Sequence, residues 1–281
     1  MTLLEAIEQR TSRRGYTGPV PGPQAELLQT LVADIDRESG FSIRLLEDGA
    51  QLFAGFGKSY GMFTGVRSLF VLAGPEEDPH LLEKAGYYGE RLVLQATALN
   101  LGTCWVGGTF DRKGLAKTIL PGHKLAAVIV VGEVAQARGM KENILYSMIH
   151  RRTKTAEQMF TASGPPPGWF MAGVQAAALA PSAMNRQPVT FCWKDDRATA
   201  TVPASTPMEK VDLGVAKLHF ELAANGRLEW GNGGAFTPEA APLAPPCKSR
   251  RAKTKSRCRL INVCRGYCGH GLTLRSTPIL S

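Results

Sequence analysis

Residues 81–108 read LLEKAGYYGERLVLQATALNLGTCWVGG. Leu81, Leu82, Ala85, Gly89, Leu92, Val93, Ala96 and Leu99 recur at steps of three and four, the spacing of one helical face, and Asn100–Gly102 is a stop signal. A long amphipathic helix therefore runs into a loop with paired glycines. A shift of 125 positions lays Gly89 on Gly214, Ala98 on Ala223, Asn100 on Asn225, Trp105 on Trp230 and Gly108 on Gly233. The matches keep their order within one helix-to-glycine segment, as a duplicated unit would.

The flanking sequence extends the alternation of helices and strands. Gln24 to Arg37 is a second helix, entered from a proline-rich turn. Phe41 to Leu46, Arg67 to Ala73 and Leu125 to Val134 are strands, the last two so continuously apolar that burial on both faces is expected. SGPPPGW at 163–169 is a rigid break into a second half. There, Trp169 to Ala180 and Val211 to Ala224 are helices, with strands at Val189 to Lys194 and Ala198 to Val202. A helix followed by a strand ending in two acids occurs in both halves, as QAELLQTLVADIDRESGFSIRLLED and GWFMAGVQAAALAPSAMNRQPVTFCWKDD.

The 281 residues carry 33 Lys and Arg against 24 Asp and Glu, a formal charge of +9. The nine surplus cations all follow Cys247 (Lys248, Arg250, Arg251, Lys253, Lys255, Arg257, Arg259, Arg265 and Arg275), and no acid follows Glu239. Nine taken from 33 leaves 24 against 24, so the body is neutral and carries no electrostatic footprint for nucleic acid. The longest apolar run, Leu125 to Val131, is too short to span a bilayer. Glu5 and Glu8 stand where a secretory signal would be apolar, so a soluble, cytoplasmic protein without a membrane partner is expected. Cys104 and Cys192 read as small buried thiols. Cys247, Cys258, Cys264, Cys268 and His270 have irregular spacing that fits no zinc template, and no metal is expected.

Several motifs fail on inspection. GFGKS at 55–59 ends like a phosphate loop, but Leu52 occupies the position of the first glycine. GNGG at 231–234 lacks the strand and helix of a dinucleotide fingerprint. No histidines pair at helical spacing, and Ser182 has no glycine-flanked elbow that would make it a nucleophile. RTSRRGY at 10–16 is more informative. In an extended segment Arg10, Ser12 and Arg14 point to one side and offer two guanidiniums and a hydroxyl to one anion, such as a phosphate monoester. Taken alone, the segment also reads as a solvated basic turn. The glycines of NLGTCWVGG, 100–108, let backbone N–H groups approach a flat ligand. APSAMNRQP, 180–188, gathers short hydrogen-bonding side chains at the mouth of a strand.

RTSRRGY, the long helix running into LGTCWVGG, the basic HRRTK at 150–154 and APSAMNRQPVTF, in that order, resemble the nitroreductase family of FMN-dependent oxidoreductases. The order is most similar to the branch in which two nitroreductase-like lobes are fused in one chain. The resemblance covers about residues 2–234. It implies an α+β fold, a three-layer α/β/α sandwich whose two lobes form a pseudo-dimer inside a monomer. The first lobe would span 1–160, the second 161–236, and residues 237–281 a basic, cysteine-containing tail.

It further implies one FMN held between the lobes. Arg10, Ser12 and Arg14 would hold the phosphate and ribityl chain, with Arg152 and Lys154 as further phosphate partners. Pro181, Ser182, Asn185 and Gln187 would line the isoalloxazine edge. Val106, Gly107 and Gly108 would present backbone, with the Gly107 N–H near the flavin N5. No side chain is expected to be catalytic, because the flavin does the chemistry and the protein orients and polarises it. NADH or NADPH would reduce the flavin, leave, and be replaced by a small-molecule acceptor, a nitroaromatic or quinone, in ping-pong order. Two departures stand out. Ala183 occupies a position where many members have a second serine, and Thr109 is an extra residue before Phe110 that shifts the register around N5 by one.

After about Phe236 the resemblance ends. The tail combines four cysteines and a dense basic run with little apolar periodicity, the composition of a disordered or frame-shifted end. A nucleic-acid-binding extension is the alternative, since clustered cations neutralise phosphates. Two other functions stay open on the residues alone: a flavin-binding protein without turnover, and a basic-tailed nucleic-acid-binding protein with the body as scaffold.

Overall fold

Helix α1, Leu3–Gln9, starts at a capping box: the Thr2 hydroxyl accepts from Glu5 N at 3.2 Å and the Glu5 carboxylate accepts from Thr2 N at 2.7 Å. A proline in the first turn and the left-handed Gly40 after the last (φ 73°) bound α2, Gly22–Ser39. The computed structural model describes residues 1–53, 63–107, 111–117, 119–149 and 153–239. The tail beyond 239, the GFGKS segment, Gly108, Thr109 and Arg152 lie outside these residues.

Strands β1, Ser42–Leu46, and β2, Ser68–Pro75, lead to α3, Leu81–Ala98, and β3, Gly102–Val106. The short helix α4, Arg112–Ala116, precedes β4, His123–Gly132. These strands form one antiparallel sheet in the order β1-β2-β4-β3. Alternation along the strands separates two apolar faces. Phe70, Leu72, Ile129 and Val131 pack against α1, α2 and α3, whereas Leu69, Val71, Val128 and Val130 pack with Tyr16, Val66, Val106 and Leu115. Burial on both faces thus holds for β2, while the first half of β4 is partly open. The expected amphipathic helix, α3, is instead buried almost all round, because the sheet covers one side and a later helix the other.

Helix α5, Met140–Ile149, and the short strand β5, Phe160–Ala162, lead into the second half. It contains α6, Gly168–Ala178, β6, Thr190–Lys194, β7, Arg197–Thr201, α7, Pro207–Ala224, β8, Gly226–Leu228, and β9, Phe236–Pro238. The β6–β7 hairpin turns through Asp195 (φ 50°) and Asp196 (φ 56°), two left-handed residues of the kind a tight antiparallel turn needs. The acids that close KDD are therefore turn residues. The core here is aromatic, with Phe191 stacked on Phe220 at 4.7 Å and Trp169 on Phe236 at 4.9 Å.

The order α2, β1, β2, α3, β3 recurs as α6, β6, β7, α7, β8. Both α3 and α7 have 18 residues, and each is followed by a left-handed asparagine, Asn100 (φ 61°) and Asn225 (φ 55°). The two helices approach at glycines. A Cβ at Gly86 would lie 2.0 Å from Val211 O, and one at Gly214 would lie 1.8 Å from Glu83 O. The obstructing atoms are backbone, so Gly214→Ala is expected to cost about 1–3 kcal/mol by forcing the helices apart. Denaturant melts of the variant and the parent measure this, and an unchanged midpoint would refute the close crossing. Among the described residues, no helix is long and apolar enough to cross a membrane.

Candidate functional site

RTSRRGY runs as a nearly extended segment docked on β3. Ser12 bridges Thr103 in parallel, Arg13 N donates to Thr103 O at 2.8 Å, and Gly15 bridges Thr64. The alternation then sorts its side chains. Arg13 turns inward, with Nε 3.1 Å from Glu142 Oε1 and Nη2 donating to Ala135 O at 2.9 Å. Glu142 also accepts from Arg14 N at 2.6 Å. Burial pushes the Glu142 carboxyl up, but the Arg14 N–H and the Arg13 guanidinium outweigh it and hold the group below the usual carboxylate range. The loop is thereby pinned from α5.

Arg10, Ser12 and Arg14 gather around Cys104 of β3. Burial raises the Cys104 thiol, while the charges of Arg14 and Arg10 and a hydrogen bond with Ser12 pull it down. The Arg10 side chain is 9% exposed and its Nε lies 3.9 Å from Glu90 Oε1, yet that Nε is buried with no hydrogen-bond partner. Glu90 is fully buried and accepts from Trp105 Nε1 at 2.9 Å, and its Oε1 lies 3.0 Å from His219 Nε2. Arg14 forms no side-chain hydrogen bond or ion pair with the described residues. A buried Arg10 nitrogen without a hydrogen-bond partner, on one segment with the Ser12 hydroxyl and an Arg14 side chain that no described residue pairs, fits an anionic group, so these residues are compatible with a nucleotide phosphate.

Three residues beyond Cys104, Gly107 ends the described part of the glycine loop. A Cβ there would meet Met208 Cε at 3.4 Å, placing this backbone beside the first turn of α7. One turn on, Asp212 reaches the second-half motif: its Oδ1 and Oδ2 accept from Ala183 N at 3.0 and 3.3 Å. Met208 and Asp212, four residues apart on one helical face, thus bring the glycine loop and APSAMNRQP to the same end of α7.

That motif is strained. Met184 (φ 53°), Asn185 (φ 54°) and Gln187 (φ 46°) are all left-handed without being glycine, a conformation costing of order 1–3 kcal/mol each. Hydrogen bonds fix it. Ser182 Oγ accepts from Gln187 N at 2.9 Å, and Asn185 Nδ2 donates to Thr153 Oγ1 at 3.0 Å. The buried Gln187 faces inward, its Oε1 accepting from Lys154 N at 2.7 Å and its Nε2 donating to Ala178 O at 3.1 Å. Lys154 Nζ donates to Gln187 O at 2.7 Å. Pro181 is half-buried at the entry to this turn, and Val106 is buried at the end of β3. Gly108 and Arg152 lie outside the described residues.

A family profile described as "Putative TM nitroreductase" matches residues 2–224. The chain belongs to this nitroreductase family. Its fold is shared with the solved structure of a nitroreductase from Thermotoga maritima, at 22% identity over 84% of this chain and 92% of that one, with a TM-score of 0.55. Two nitroreductases solved with FMN align over about half of this nitroreductase-family chain. That from Bacteroides fragilis is 17% identical, covering 50% of this chain and 92% of its own, TM-score 0.39. That from Desulfovibrio desulfuricans is 22% identical, covering 51% and 95%, TM-score 0.38. No curated protein matches significantly.

Glu90, Glu142 and Asp212, which contact the candidate site's segments, were not anticipated from the sequence. Glu90 and Asp212 are acids set among apolar helical neighbours, as in YYGERLVL and KVDLGVA, whereas Glu142, between Lys141 and Asn143, carries no such mark. An acid among apolar neighbours must find a buried partner, and that is the signal that could have found the first two.

Proposed function

We propose that this chain is a cytoplasmic FMN-dependent oxidoreductase that takes electrons from NADH or NADPH and passes them to a nitroaromatic, quinone or related acceptor in ping-pong order. One flavin is held per chain, between lobes spanning 1–160 and 161–236 that form an internal pseudo-dimer in a monomer. The repeated order of elements, with its paired left-handed asparagines, supports the two-lobe reading. The observation that carries the function is the convergence of Arg10, Ser12 and Arg14 on β3, the strand that leads into the glycine loop at Gly107, with Arg10 Nε buried and without a hydrogen-bond partner.

Bound FMN would supply hydride acceptance and electron transfer. Arg10 and Arg14 hold its phosphate, and Ser12 the neighbouring ribityl oxygens. Val106, Gly107 and Gly108 offer backbone to the ring, and Arg152 is a further cation for the phosphate. On the other side, Ser182 already accepts from Gln187 N and so keeps its O–H to donate, while Asn185 has its Nδ2 engaged and keeps Oδ1 to accept. A donor beside an acceptor matches a ring edge that alternates carbonyl and N–H. Pro181, Gln187 and Lys154 hold that turn in its left-handed shape.

Purified protein is expected to be yellow, and saturating FMN to raise the melting temperature of stripped protein. Arg14→Ala and Asn185→Ala should each weaken FMN retention by about 1–3 kcal/mol, read by fluorescence titration. No thermal shift with FMN would overturn the function, and parental affinity in both variants would overturn the site.

A further inference from the structure

A cavity of about 310 Å³ lies where α2, α3 and α7 meet the β8–β9 hairpin, and none of its lining belongs to the proposed flavin site. Its walls combine three aromatic rings, Tyr87, Tyr88 and Trp230, with three carboxylates, Glu38, Glu221 and Glu229. The rings meet at steep angles: Tyr87 and Trp230 at 5.2 Å and 81°, Tyr87 and Tyr88 at 5.3 Å and 78°, Tyr88 and Trp230 at 6.1 Å and 41°. They therefore wall one space from different sides. Tyr87 donates its hydroxyl to Glu221 Oε2 at 2.7 Å and Tyr88 donates to Glu38 Oε1 at 3.2 Å. A phenol that donates to a carboxylate has a more electron-rich ring, which strengthens attraction for a cation over its face.

The chain already supplies a cation here. Arg227 Nη1 donates to the Tyr87 hydroxyl and lies 3.5 Å from Glu221 Oε2, although its side chain is 61% exposed. Glu239 Oε1, 3.9 Å from Arg227 Nε, offers the guanidinium a second position outside. Other nearby cations are committed: Arg91 pairs with Glu38 at 3.0 Å, and Lys84, 5.8 Å from the Trp230 ring centre, pairs with Asp78 at 2.6 Å. Glu229 makes no ion pair with any described residue; its Oε2 accepts only from Ala235 N, at 3.3 Å. Aromatic walls, a carboxylate without an ion pair among the described residues and a largely exposed guanidinium together have the chemistry that recognises an organic cation.

We propose that this cavity binds a small organic cation of the guanidinium or alkylammonium type, held by Tyr87, Tyr88 and Trp230 with Glu229 as counter-ion, and that Arg227 occupies its position until displaced. The probe is n-butylguanidinium, with the neutral isostere n-butylurea as control, titrated into the full-length protein in the presence of saturating FMN and followed by tryptophan fluorescence and thermal shift. Arg227→Ala is expected to bind n-butylguanidinium about tenfold more tightly than the parent, because the competing internal cation is gone. Adding Glu229→Gln to that variant should lose most of the gain, and Trp230→Phe, which keeps an aromatic ring, should weaken binding less than Glu229→Gln does. Equal binding of n-butylurea, an affinity unchanged by Glu229→Gln, or no binding by Arg227→Ala at millimolar probe would each overturn the proposal. These outcomes are independent of whether FMN is the cofactor, since the readouts do not use turnover.

Discussion

Lys217→Met is expected to lower the unfolding free energy by about 3–5 kcal/mol, the range for removing one partner of a buried ion pair. The Lys217 side chain is fully buried in α7. Its ammonium donates to three acceptors: Glu83 Oε1 at 2.5 Å, Glu229 O at 2.7 Å and Gly231 O at 2.8 Å. Glu83 in turn accepts from Gly231 N through Oε2 at 2.8 Å. The pair therefore ties α3, α7 and the 229–231 loop at one point. Methionine fills much the same volume but leaves the Glu83 carboxylate, 4% exposed, without its counter-charge and Glu229 O without the lysine donor, while Gly231 O keeps only the Gly234 N–H at 3.1 Å. Urea unfolding of variant and parent at neutral pH measures the loss. Lys217→Met combined with Glu83→Gln should recover part of it, since the uncompensated charge is then gone. A single-variant loss below about 1 kcal/mol, or a double variant no better than the single, would show that the lysine is not the electrostatic keystone of the α3–α7 contact.

That contact also marks the limit of what the sequence discloses. The helices themselves were legible from apolar recurrence, and their C-terminal ends lie at asparagines, but α7 starts at Pro207, capped by Thr206, four residues before the expected Val211. Strands β2 and β4 were legible as continuous apolar runs, although His123 and Lys124 at the start of β4 gave no strand signal. Strand β3 was not. Gly102–Val106 follows an asparagine and precedes a glycine pair, so it reads as loop, and only the register with β4, Cys104 opposite Val130, makes it a strand. Helix α5 escaped for the opposite reason: Met140, Ile144 and Met148 are exposed, so its apolar residues do not mark a buried face. In the candidate site, strand alternation set Arg10, Ser12 and Arg14 on one side of their segment, but not the burial of Arg13 against Glu142, whose helix lies 129 residues away in sequence. The inward turn of Gln187 was not legible either, because it depends on left-handed backbone at three non-glycine residues that no propensity scale favours.

Asp212→Asn is expected to stabilise the protein at pH 8 by up to about 4 kcal/mol and to change little near pH 4. Burial is the main cause that pushes the Asp212 carboxyl from 3.8 up to about 7; the nearby Glu209 adds to it, while the Ala183 N–H and Arg186 oppose it. The folded state thus keeps a proton that the unfolded chain has released. Between about pH 4 and 7 the folded form binds more protons, so the contribution of Asp212 to stability is full at the acidic end and falls as pH rises through 7. A difference of about three pKa units corresponds to about 4 kcal/mol at 1.36 kcal/mol per unit. Asparagine resembles the protonated acid and still accepts from Ala183 N, so it avoids the cost of charging the site. Unfolding of both proteins at pH 4, 6 and 8 tests this, because every other titrating group cancels in the difference. A gain that is the same at all three values would place the effect in packing instead. The acid sits beneath the strained turn that carries Ser182 and Asn185, so a charge held there at neutral pH works against stability where the turn is already left-handed. Such local destabilisation is retained where function constrains the backbone. If Asp212→Asn stabilises the fold but loosens FMN retention at pH 8, the carboxylate is what keeps Ala183 and its neighbours in the shape the cofactor needs; if retention is unchanged, the turn holds that shape through Gln187 and Ser182 alone.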